Sequence, residues 1–203
     1  MPFFEADSTV FFTLRSLLEG SRVPDEVIIV DDGSSRESAA LLRGIVDHFS
    51  SPKIRILTLP SNCGGGFARN VGIQEASHDL ILMLDSDNLA SGNLLSDLTD
   101  AMVSTHSDVH VCAPERFAFF PAEGAPRISH TWTVNRKAKR LKDFLDCAVV
   151  PAASRNYLFT RESWSSSGGY PTRVGSLDAW GFGLRQFLSG YAPHVVRGTH
   201  HFH

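Results

Sequence analysis

Two short apolar runs in this chain end directly in clustered carboxylates. Val27-Ile28-Ile29-Val30 runs into Asp31-Asp32-Gly33-Ser34, and Leu80-Ile81-Leu82-Met83-Leu84 runs into Asp85-Ser86-Asp87. An unbroken apolar run of this length reads as a strand buried on both faces, as in parallel sheets covered by helices. Ligands of open α/β sheets bind outside the carboxyl ends of the strands, where both acidic clusters fall. In an extended chain, residues i and i+2 point to the same side, which predicts that Asp85 and Asp87 share one small volume. Two such carboxylates call for a compensating cation, and oxygen ligands suit a divalent metal. The plain alternative is a pair of solvated turn residues, since strand-to-turn junctions favour Asp in any case.

The rest of the chain alternates in the same way. A helix is expected over 9–19, capped by Asp7 or Ser8 and stopped by Gly20. Ser34 and Glu37 have capping-box spacing and open a second helix to Phe49. Residues 54–59 alternate as a strand, and Gly64-Gly65-Gly66 leads into a helix ending near Glu75. A helix over 93–104, short strands at 109–111 and 157–159, and a helix over 179–188 stopped by Gly190 complete the series. Residues 114–155, rich in Pro, Ala and charge, read as an irregular insertion. The expected class is α/β: a mostly parallel sheet with helices on both faces, in three layers. At 203 residues and 42% hydrophobic, the chain suits one domain with a real core.

Charge and cysteine use narrow the function. A net charge of −3 supplies no basic field for nucleic acid. The one basic run, 136–142, reads as a solvated face. Cys63, Cys112 and Cys147 lack metal-ligand spacing, and an odd scattered count suits a reducing compartment. No apolar stretch approaches the ~20 residues needed to cross a membrane.

Several motif readings can be tested. An EF-hand loop fails at its fifth and twelfth positions, which are Leu89 and Ser96. A phosphatase with Asp85 as nucleophile stays open, although Leu89 stands where such enzymes usually have Thr or Val. The glycine-rich stretch Asn62-Cys63-Gly64-Gly65-Gly66-Phe67-Ala68-Arg69-Asn70 is neither a dinucleotide fingerprint nor a P-loop. Its glycines still permit close backbone approach to a ligand, and Arg69 suits phosphate. Asp178, at a helix start, is a cap or a general base.

These pieces, in this order, resemble the family 2 glycosyltransferases of the GT-A (Rossmann-like) fold. The matching segments are 27–34, 62–72, 80–87, Gly168-Gly169-Tyr170 and 178–185. The resemblance implies transfer of a sugar, with inversion, from a nucleotide-diphospho-sugar donor to a saccharide or other hydroxyl acceptor. Asp31 and Asp32 would contact the base or ribose, Arg69 would sit in the nucleotide pocket, and Asp85 would contact sugar or ribose. Asp87 would bind Mn2+ or Mg2+, with His201 or His203 completing the metal site, and Asp178 would be the catalytic base. The insertion at 114–155 would face the acceptor.

Two departures stand out. Leu177 occupies a position usually acidic, and the family's first strand would precede Pro2, so that Pro2 to Ala6 reads as the loop after it and the chain reads as cut at both ends. A non-catalytic nucleotide-sugar-binding module of a larger protein is therefore the alternative. The expected location is the cytoplasm or the cytoplasmic face of a membrane, reached through segments outside this sequence.

Overall fold

The computed structural model describes residues 1–105, 109–119, 128–134, 140–145 and 156–203. The α/β class holds, and the sheet comes in two parts. The first is three-stranded and parallel, in the order β1 (Pro2–Phe3), β2 (Val27–Asp31), β3 (Ile54–Thr58). All five residues of β2 are buried, as its apolar run requires. Its alternate side chains feed two cores. Val27 and Ile29 pack with Val10, Leu14 and Leu17 of helix α1 (Val10–Leu18) and Leu42 of α2 (Arg36–Phe49). Ile28 and Val30 pack on Ala68 of α3 (Gly65–Glu75).

The second sheet is six-stranded and mixed. It takes β4 (Leu80–Leu82), β5 (Leu89–Ala90), β6 (Val111–Phe119), β7 (His130–Thr133), β8 (Leu158–Thr160) and β9 (His194–Phe202). Its order is β4-β8-β6-β9-β5, with β7 on β6. Only the β6–β9 pair is parallel. Helix α4 (Leu94–Ser104) supplies Leu94, Leu98 and Met102 to a core against Cys112 and Leu158. Helices α5 (Leu141–Leu145), α6 (Arg161–Ser166) and α7 (Asp178–Leu188) complete the fold. Phe182 of α7 packs among Tyr157, Phe159 and Tyr170. Among the described residues, no helix is long and apolar enough to cross a membrane.

Between the two sheets lies a cavity of about 370 Å³. Met1, Val27 and Ile28 line one wall, and Leu80 to Leu84 the other. Among the described residues, β2 has a strand partner on this side only at Val30 and Asp31, through β1, the Met1 amine donates to Ile28 O, and β4 pairs with β8 alone. Two strand edges therefore face each other across an apolar slot, and Leu80 is left 41% exposed.

Several local expectations are corrected. Pro2–Phe3, read as loop, is strand. Thr9 rather than Asp7 or Ser8 sits at the cap of α1, with no side-chain capping bond, and Asp7 accepts from Ser38 Oγ instead. Ser35, not Ser34, caps α2, its hydroxyl accepting from Ser38 N at 3.2 Å. Ser34 is diverted to accept from Glu5 N. Strand β6 runs to Phe119, so 114–119 is not irregular. Pro114, lacking an N–H, is accommodated by a register shift before Arg116. Cys147 and most of the basic run at 136–142 lie outside the described residues.

Candidate active site

The carboxyl end of β2 supplies the first wall. Gly33 turns the chain there with φ +75°, and its Cα lies so close to the Ser61–Asn62 backbone that a Cβ would sit 2.4 Å from it. The turn aims Asp32 at the glycine-rich loop. Its Oδ1 accepts from Cys63 N and its Oδ2 from Gly64 N, both at 2.8 Å. Asp32 thus orders the entry to α3 with both oxygens. Asp32→Ala should cost about 1–3 kcal/mol, because two bonds to a charged acceptor are lost, and thermal denaturation measures it. Asp31 differs: Oδ1 accepts from Ser34 N at 3.0 Å, while the buried Oδ2 has no partner. An unfilled buried acceptor is a place for a ligand N–H or O–H.

Helix α3 supplies the second wall. Gly65 and Arg69 are one turn apart and face the same way. A Cβ on Gly65 would stand 2.9 Å from the Arg69 guanidinium and 3.1 Å from Asp178 Oδ2. A Cβ on Gly66 would lie 2.3 Å from Pro171 O, so only glycine admits this approach. Arg69 is therefore buried at the start of α3. One guanidinium nitrogen donates to Asp85 Oδ1 at 2.7 Å, and the other donates to Asp178 Oδ2. Its guanidinium carbon lies 5.6 Å from the centre of the Tyr170 ring. Burial opposes the charge on Arg69, but Asp85, Tyr170 and Asp178 outweigh it and raise its pKa above the ordinary value. One buried cation ties a strand-end carboxylate to a helix-start carboxylate, the latter 109 residues from Arg69 in sequence.

The third wall is the end of β4. The chain leaves the strand after Leu82 and turns at Ser86-Asp87. The expectation of one shared volume for Asp85 and Asp87 fails for that reason. Asp85 is turned inward to Arg69, while Asp87 is exposed. Asp87 Oδ1 accepts from Asn88 Nδ2 at 2.8 Å, and Asn88 Oδ1 lies 3.1 Å from His203 Nδ1. Asn88 thus joins Asp87 to the end of β9. His201, one turn of the pleat earlier, is buried with its Nδ1 unpartnered. Burial pushes its pKa down to about 4, so the ring is neutral at pH 7, with a lone pair free for a metal.

Among the described residues, no three His, Cys, Asp or Glu side chains stand ready as a closed cage. The Asp87 carboxylate nonetheless fits an Mg2+ or Mn2+ bound through one carboxylate and substrate oxygens, as such ions usually are, with an imidazole as an additional donor.

Several supporting residues carried no readable signal. Asn156 Oδ1 accepts from Asp85 N at 2.9 Å and fixes that backbone. Asn70 lies inside a quoted motif but was given no role. Its Oδ1 accepts from Trp164 Nε1 and Tyr170 N, and its Nδ2 donates to Tyr170 O, which pins the turn leading to Asp178.

A curated relative from Haemophilus influenzae, an uncharacterized glycosyltransferase, is 30% identical over 124 residues, covering 61% of this chain and 48% of its own. The UDP-Gal:alpha-D-GlcNAc-diphosphoundecaprenol beta-1,3-galactosyltransferase of Escherichia coli is 32% identical over 128 residues, with 61% and 45% coverage. The chain spans about half the length of these relatives. Among solved structures, S. aureus TarS 1-349 in complex with UDP superposes with a TM-score of 0.77 at 19% identity, over 100% of this chain and 58% of that one. The mannosyltransferase PcManGT from Pyrobaculum calidifontis, in complex with GDP-Man and Mn2+, gives 0.71 at 17% identity, over 100% and 55%. At these identities the likeness shows the fold, which is GT-A. The profile of glycosyl transferase family 2 matches residues 1–165, and the chain belongs to that family.

Proposed function

We propose that this chain carries the donor site and catalytic base of an inverting, metal-dependent glycosyltransferase. Its donor is a nucleotide-diphospho-sugar, and its acceptor is a saccharide or another hydroxyl compound. The observation that carries the reading is Arg69, buried between Asp85 and Asp178 at the glycine-rich start of α3. Asp31 Oδ2 takes a donor hydrogen from the base or ribose, and Asp32 holds the loop beside it. Arg69 and the first-turn amides of α3 face the diphosphate, stabilising charge that grows as it leaves. Asp85 contacts sugar or ribose. Asp87 and His203, with His201 behind them, hold Mn2+ or Mg2+, which when bound supplies Lewis-acid neutralisation of the diphosphate.

Asp178 then removes the proton of the acceptor hydroxyl. The resulting oxygen attacks the anomeric carbon from the face opposite the diphosphate, and a single displacement inverts configuration. Asp178 Oδ2, which accepts from Arg69, becomes free to accept that proton when the diphosphate draws Arg69 away. Asp85, buried and paired, is poorly presented as the nucleophile of a phosphatase.

The proposed setting is the cytoplasm, at the face of a membrane, which accords with an E. coli relative named for a diphosphoundecaprenol acceptor. The binding-module alternative predicts nucleotide binding without transfer by the full-length protein.

The test is calorimetric titration with uridine and guanosine diphosphates, with and without manganese. The wild type should bind one of them more tightly with the metal. Asp87→Ala should remove that gain, at least the ~10–100-fold seen when even an outer-shell partner of a metal is lost. Unchanged metal-dependent affinity in Asp87→Ala would sink the metal assignment.

A further inference from the structure

Strands β9, β6 and β7 lie side by side, and on one face their register places six rings in two cross-strand rows. His201, Phe117 and Trp132 form the first row, and His203, Phe119 and His130 the second. In the first row the planes are nearly parallel, 13° between His201 and Phe117 and 10° between Phe117 and Trp132, with centroids 5.8 and 6.4 Å apart. In the second, Phe119 stacks on His130 at 4.3 Å and meets His203 edge-on at 5.3 Å. The first row is buried at one end and open at the other, whereas both ends of the second are exposed. His201 is 2% exposed, whereas Trp132 is 47% exposed and His130 is exposed beside it. The inner end runs into the candidate site through the His203–Asn88–Asp87 chain of contacts.

We propose that this aromatic floor is the acceptor subsite, and that it seats the apolar C–H face of a saccharide ring on Trp132. The inference rests on the glycosyltransferase reading and names its acceptor class. A pyranose has one flat C–H face and a rim of hydroxyls, and a solvent-exposed ring offers the apolar face that such a surface needs. His130, exposed beside Trp132, adds an imidazole nitrogen for the rim. A polyprenyl chain would favour a floor without it.

The experiment uses the full-length protein and follows tryptophan fluorescence during titration with maltotetraose, cellotetraose and chitotetraose, and separately with farnesyl phosphate. At least one oligosaccharide should quench the fluorescence saturably. Trp132→Phe should lose most of that quench while keeping affinity within about threefold by calorimetry. Trp132→Ala should weaken affinity about tenfold, as loss of an aromatic stacking surface does. Thermal shifts with uridine or guanosine diphosphate plus manganese should be equal in wild type and Trp132→Ala. The proposal is overturned if no oligosaccharide quenches, if Trp132→Ala binds as wild type does, or if farnesyl phosphate alone quenches. Absence of any nucleoside diphosphate response in the wild type would instead count against the donor site, and the two failures are separately visible.

Discussion

Asp178→Asn should lower the rate of sugar transfer by the full-length protein by roughly 10²–10⁴-fold, the range for a lost acid–base group. The carboxylate is the first residue of α7. Its Oδ1 accepts from Ala179 N at 2.6 Å and its Oδ2 from Arg69, so its position is fixed from both sides. Asparagine keeps the shape and one acceptor oxygen but cannot take a proton. Donor binding should change little by comparison, since Arg69 still has Asp85. The measurement is the transfer rate beside donor affinity for both proteins. Near-wild-type turnover would remove Asp178 from the mechanism, and Leu177, exposed on the turn before it, would then mark an acidic motif that has decayed.

Arg69→Met should destabilise the fold by about 3–5 kcal/mol, the usual effect of stripping the partner from a buried charge. The variant leaves Asp85 and Asp178 buried with no cation between them. Urea denaturation at pH 7 measures the loss. Adding Asp85→Asn and Asp178→Asn to Arg69→Met should recover part of the loss at pH 7. An Arg69→Met protein as stable as wild type would mean that the guanidinium is not the tie between the two walls.

Local periodicity made much of this fold legible. Helices α2, α3 and α7 and strands β2 and β3 follow from apolar spacing and stop residues, because burying one face is a local requirement. Each acidic cluster was legible as a strand end. Tertiary pairing decided the rest. β9 is a nine-residue strand with three histidines and little alternation, and it forms because β6 is there to pair with it. β6 runs through Pro114, a residue that argues against a strand until the register shift is seen. The same-side expectation for Asp85 and Asp87 assumed that the strand continued, and the chain turns instead. Asn156 is an isolated asparagine in sequence, and only the fold brings its side chain to the Asp85 amide.

The slot between the two sheets bears on how the molecule opens. Where strands pair, backbone bonds bind neighbours into one cooperative unit. Across the slot, β2 and β4 share no such ladder. One link at the slot is ionic: Arg69, itself on the cavity wall, reaches from the β1–β3 half to Asp85 on the other, beside the apolar packing of Leu84. The sheets can therefore loosen from one another at a lower free energy than either needs to unravel alone, as separate foldons do. A ligand gripping Asp31, Arg69 and Asp87 together would clasp both halves. Occupancy of the crevice would then be felt as rigidity of the whole chain, and amide protection along β2 and β4 would rise far from any atom the ligand touches.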